Sequence, residues 1–178
     1  MINFPTCIRL LEEQNQWEQA IYYLLKEWKS DQFNLNKLLC ASTEIWFVLV
    51  FFERLEEAEQ IDEQWIQSEL KDMTDFGFQH FPDEMLFNLF FGYMIILFPY
   101  YFDIGDNDYD DKQQLGSEMC LKALQICPNN PVAKIFCRNE LDDIFSQLLK
   151  EGEAYVCAHF PEDGSEVIQY YRRILSID

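Results

Sequence analysis

The residues most suggestive of chemistry stand in one short acidic run, Asp106-Asn107-Asp108-Tyr109-Asp110-Asp111. Carboxylates at alternate positions are how a calcium loop begins, because a hard cation is held by several oxygens. The pattern then fails. Asp111 occupies the sixth position, where the loop needs Gly, and Ser117 occupies the twelfth, where a bidentate Glu is required. The run reads instead as an exposed acidic loop spanning 103–111, with no metal or other cofactor expected.

The only histidines, His80 and His159, tempt a catalytic reading. Each occupies the same place in two similar stretches, Gln-His-Phe-Pro-Asp-Glu at 79–84 and Ala-His-Phe-Pro-Glu-Asp at 158–163. There each closes one apolar helix before the next opens, where an imidazole suits the helix dipole. The role expected of both is structural. No glycine-rich phosphate loop, nucleophile elbow, H-E-x-x-H or Cys/His metal spacing occurs. Paired carboxylates are too abundant in so acidic a chain to nominate an acid–base pair. A binding protein is therefore expected, with an all-helical enzyme the least favoured reading.

The charge supports binding of a particular kind. The net charge is −19, unevenly spread: residues 53–118 carry three Lys/Arg against seventeen Asp/Glu, net −14, while the flanking thirds carry −2 and −3. Such a field repels nucleic acid and anionic membranes and attracts basic proteins. It also serves simply to keep an apolar-rich chain in solution. The six cysteines form no C-x-x-C pair, and the first residues show no basic region leading into an apolar stretch. Reduced, buried thiols in a cytoplasmic protein are the expectation.

The elements that must carry these residues read as helices. A chain of 178 residues, 49% hydrophobic with only six Gly and six Pro, has the core for one domain and too few turn signals for a sandwich of strands. Trp17, Ala20, Ile21, Leu24 and Trp28 recur at helical spacing within 8–29, with Glu12, Glu13, Glu18 and Glu27 between them. Asn34 caps a second helix whose stripe, Leu35 to Phe52, is wide enough to be covered on more than one side. Asp62 caps a third to about Gln79, and Asp83 a fourth over 84–98, ended by Pro99. Leu86–Phe102 is at the short limit for a membrane span, contains Asn88 and Pro99 and has no Lys/Arg anchor. It reads as a buried helix. A fifth helix is expected from about Lys112 to Cys127. Asn130-Pro131 starts a sixth over 131–149, a shorter one covers about 152–160, and Ser165 caps the last over 166–176.

Repeated helical hairpins are the signature of a solenoid. The stretch Leu115 to Phe136 resembles the second helix of a tetratricopeptide repeat and the turn beyond it, with Gly116, Cys120, Ala123 and Pro128 at the family's spacing. Phe91-Gly92 and Ile95 resemble the first helix, although Asn88 stands where the family prefers Trp. The separation of Gly92 from Pro128 exceeds the family's by about a dozen residues, which the loop at 103–111 and its edges account for. The resemblance covers about half the chain. It implies an all-α fold of antiparallel hairpins stacked as a short solenoid with a concave face for protein binding. An insertion in such a repeat tends to lie on a binding face.

Small, strongly acidic chains without catalytic motifs also resemble, as a class, the immunity proteins of bacterial toxin–immunity pairs, including those of contact-dependent growth inhibition. That resemblance implies a protein that neutralises a basic nuclease, a tRNase being one option, by tight electrostatically steered binding. Tyrosine beside acid suits a Lys/Arg-rich partner. The partner-binding residues expected are Asp103, Asp106, Asp108, Tyr109, Asp110, Asp111 and Tyr101, joined by Glu56, Glu57, Glu59, Asp62 and Glu63. The alternative is a tetratricopeptide-like adaptor that takes a peptide. An adaptor for acidic tails needs basic residues in its groove, and only Arg172-Arg173 form a cluster.

Overall fold

The apolar run from Leu38 to Phe52 holds one charged residue, Glu44, and forms the centre of the molecule. In the computed structural model, which describes residues 2–104, 109–136, 151, 154–155 and 164–175, this run is most of a helix (Leu35–Phe51) in which every residue from Leu38 through Leu49 is buried. Asn34 caps it as expected, its side-chain oxygen accepting the N–H of Lys37 at 3.3 Å. Every regular element among the described residues is helical, so the fold is all-α.

In chain order the α-helices are α1 (Thr6–Glu12), α2 (Trp17–Ser30), α3 (Leu35–Phe51), α4 (Glu63–His80), α5 (Met85–Leu97), α6 (Tyr109–Ile126), α7 (Pro131–Phe136) and α8 (Glu166–Leu175). Short 3-10 turns lie at Phe52–Arg54, Ala58–Gln60 and Pro99–Tyr101. The helix expected from 131 is described only to Phe136. Most of the one expected over 152–160, and the second histidine element, lie outside the described residues.

α3 packs against α2, α4, α5 and α8. Tyr22 stacks on Trp65 near the start of α2 and α4, and Trp28 meets Phe76 near the end of both, so these two helices run the same way beside α3. α4 buries one stripe, Ile66, Leu70, Met73, Thr74 and Gly77, and leaves Glu63, Asp72 and Asp75 exposed, while the largely covered Glu69 pairs with Lys29 at 2.7 Å. Asp62 caps it through the N–H groups of Gln64 and Trp65. At Gly77 the ring of Phe87 lies where a β-carbon would stand, which seats α5 against the end of α4.

α5 and α6 form the closest pair. Ile96 meets Gln113 and Gly116, Gly92 meets Gly116 and Cys120, and Leu89 meets Cys120. As the α5 numbers fall the α6 numbers rise, so the pair is antiparallel. α8 lays Val167, Ile168 and Tyr171 into the core, with Tyr170 against Trp46, Phe47 and Phe51.

Three expectations need correction. The helix expected over 8–29 is two helices, because the chain turns at Asn15, whose φ is 57°. The turn re-aims α1, and Glu12, one of the glutamates between the apolar positions, is only 3% exposed. The loop expected over 103–111 is shorter, since Tyr109, Asp110 and Asp111 are already the first turn of α6, where acids favour the helix dipole. α5 is not capped by Asp83. Asn88 reaches back instead, donating to the carbonyls of Pro82 and Glu84 at 2.8 and 2.9 Å. α5 is 13 residues long and ends before Pro99. Leu35–Arg54 is the stretch among the described residues long and apolar enough to cross a bilayer, and 67% of it is buried within the fold.

Candidate partner-binding surface

The acids expected to bind a partner lie on a turn built to expose them. After α3 the chain reverses through Glu57, whose φ is 62°, and Ala58 and Ile61 plug into the core as the two apolar anchors. Glu56, Glu57, Glu59, Asp62 and Glu63 are left exposed around them. Their surroundings differ. Glu56 accepts the Nδ2 of Asn15 at 2.8 Å, Asp62 is used as the α4 cap, and Glu63 accepts Gln67 Nε2 at 3.2 Å.

The second group comes from the end of α5. Tyr101 is half-buried, and its hydroxyl donates to the carbonyl of Leu49 at 2.7 Å, tying the turn at 99–101 to the end of α3. Burial first, then Tyr100, and then the carboxylates of Glu63 and Glu53 push its phenol up to about 12. Those carboxylates are its neighbours across a gap of some forty residues in sequence. Asp103 is exposed and shares Lys71 with Asp75, the ammonium lying 3.5 Å from the Asp103 carboxylate and 3.3 Å from that of Asp75.

The third group opens α6, and α6 packs on the turn at 99–101. Tyr109, Asp110 and Asp111 are exposed there, and Gln113 links Tyr109 to the carbonyl of Ile96. Asp106 and Asp108 lie outside the described residues. Of the expected set, then, Tyr101 shares a groove with Glu63, Asp103 is tied to α4 through Lys71, and Tyr109, Asp110 and Asp111 open the helix that packs on the 99–101 turn. Exposed Leu97, Tyr100 and Tyr109 add an apolar component to this end of the molecule.

Between the first two groups lies a groove of about 480 Å³, lined by the last residues of α3 and the turn after it, by Glu63, and by Phe98, Tyr101 and Tyr170. No family model, no curated protein and no solved structure matches the chain. The surface must therefore be judged on its own chemistry. The groove joins aromatic rings to Glu53 and Glu63, with Arg54 as its one basic lining residue. A second hollow, of about 450 Å³, lies by Asn3, Leu24 and Cys40, and its charged groups Lys37 and Glu27 already pair at 3.3 Å. Among the described residues no group of three or more His, Cys, Asp or Glu is placed to hold a metal ion. His80 is exposed at the end of α4, its ring against Phe76 and Phe33.

Sequence reasoning missed one polar constellation altogether. Glu12 and Glu44 face each other in the core, 3% and 0% exposed. Glu12 accepts the backbone N–H of Glu166 at 2.7 Å, and the other three carboxyl oxygens of the pair find no donor outside it. Burial holds the Glu12 carboxyl up to about 7, against the lowering effect of the Glu166 N–H, and burial and Glu12 together hold Glu44 well above the ordinary carboxylate range. With one proton between them the pair can close a hydrogen bond. The signal was present in the sequence, since Glu44 is the one charge within an apolar run of fifteen residues. The groove gave no comparable local signal, being assembled from four separate segments.

Proposed function

We propose that this chain is an immunity protein that binds and neutralises a basic nuclease toxin, acting in the cytoplasm by occupation of the toxin and not by catalysis. The observation that carries the reading is the exposure of acids beside tyrosines. From 53 to 63 six carboxylates stand against Arg54 alone, net −5, and Tyr101 lines one groove with Glu53 and Glu63. A field of one sign raises the encounter rate with a basic protein, and the aromatic rings supply the contact area that holds it. The fold suits such a role as a short stack of helical hairpins, for which the close pairing of α5 on α6 at Gly92 and Gly116 is the best support.

A tetratricopeptide-like adaptor that takes a peptide is the second reading, favoured by the groove at the end of α3. The two readings differ in the charge of the ligand, and the acids at the groove favour a basic one. The product of the neighbouring gene tests the proposal. A basic protein that is toxic alone and harmless when this chain is co-expressed supports it. Toxicity that co-expression leaves unchanged contradicts it.

A further inference from the structure

The groove at the end of α3 is more selective than the acidic surface around it. Three of its features act on a cation independently. Glu53 and Glu63 supply full negative charge, both exposed enough to reach a ligand. The 17-residue α3 ends here, presenting the negative end of its dipole. Phe52, Phe98, Tyr101 and Tyr170 supply ring surface, and the hydroxyl bond from Tyr101 to Leu49 fixes one of those rings in place.

These features do not treat all cations alike. An ammonium is compact and strongly hydrated, and an aromatic wall offers it little in exchange for its water. A guanidinium is planar and weakly hydrated, stacks on rings, and forks to carboxylates. Arg54 lines the same groove but forms no ion pair among the described residues, so it leaves both carboxylates unclaimed. Glu63 accepts one hydrogen bond within its own helix, from Gln67 Nε2, and pairs with no cation among the described residues.

We propose that this groove is the seat of an arginine side chain of the basic partner, its guanidinium stacked on the aromatic wall and hydrogen-bonded to Glu53 and Glu63. The inference rests on the reading of the partner as a basic protein and adds the residue type that anchors it. At about 480 Å³ the groove has room for the arginine and part of the chain that carries it.

The test is an NMR titration of the whole isotopically labelled chain with blocked Gly-Arg-Gly, and with the corresponding lysine and citrulline tripeptides. The arginine peptide should shift amides at 49–54, 63 and 101, and bind about fivefold tighter than the lysine peptide. The citrulline peptide should not bind. E53Q/E63Q, at two exposed positions that leave folding intact, should abolish the shifts. Equal binding of arginine and lysine, shifts centred elsewhere, or shifts that survive E53Q/E63Q would each overturn the proposal. Toxin neutralisation separates this failure from the broader one. Rescue that E53Q/E63Q leaves at full strength removes the anchor and keeps the immunity reading, whereas no rescue by the unaltered chain removes that reading itself.

Discussion

The carboxyl groups of Glu12 and Glu44, on α1 and α3, face each other inside the core, and Glu12 also holds the first N–H of α8. One short polar contact thus joins an early helix, the central helix and the last described helix. Glu166 and Glu13 are the other titratable groups that raise the Glu12 carboxyl, and neither brings positive charge.

This geometry fixes the sign of a pH dependence. In the unfolded chain both carboxyls ionise near 4.5, whereas in the fold Glu12 keeps its proton to about 7 and Glu44 is likewise held well above 4.5 by burial and by Glu12. The folded state therefore binds more protons above pH 4.5, and stability falls as pH rises from there through about 7. For Glu12 alone the rise corresponds to roughly 3 kcal/mol. E44Q supplies an amide that needs no proton to bond Glu12. Urea unfolding of E44Q should show higher stability than the parent at pH 8, little difference at pH 5, and a flatter profile. Lower stability of E44Q at pH 8 would show that the ionised pair is tolerated.

Gly92 and Gly116 make the α5–α6 pair possible. A β-carbon at either position would lie 2.8 Å from the backbone oxygen of the other, and a backbone cannot turn aside as a side chain can. G92A and G116A should each cost about 1–3 kcal/mol by urea unfolding. A change below a few tenths would mean that the two helices separate freely.

Asp62 belongs to the expected contact set but also caps α4. D62A should therefore lower stability by about 1 kcal/mol, while E59Q, at an exposed neighbour, should not. Equal stability of the two variants would remove the capping role.

The thiols should differ in reactivity. Cys40 and Cys120 are buried, Cys7 and Cys127 are partly exposed, and burial with the nearby Glu44 pushes the Cys40 thiol up to about 12. In the native protein a thiol reagent should modify Cys7 and Cys127 well before Cys40 and Cys120. After denaturation without reductant all six cysteines of the chain should titrate. Fewer than six would reveal a disulfide.

What was legible in the sequence was local. Asn34, Asp62, Asn130 with Pro131, and Ser165 all start helices where their side chains predict, because a cap needs only residues two or three along the chain. The break at Asn15 was missed because no Gly or Pro marks it, although the five polar residues at 12–16 interrupt the apolar spacing there. Tyr109, Asp110 and Asp111 read as loop from composition but form a first helical turn, where acids are favoured by the dipole. The groove depends on contacts such as Tyr101 with Leu49, 52 residues apart, which no periodicity reports.

The central claim is that the acidic, tyrosine-bearing surface captures a basic protein. Its most direct measurement is the association rate with the basic product of the neighbouring gene, at low and high salt. The unaltered chain is compared with one in which Glu53, Glu63, Asp103, Asp110 and Asp111 are replaced by Gln or Asn. All five are exposed, so folding should survive. Lys71 would keep its bond to Asp75. The account predicts that the altered chain associates about tenfold or more slowly at low salt and loses most of its salt dependence. An unchanged rate and an unchanged salt slope, with the protein still folded, would contradict it.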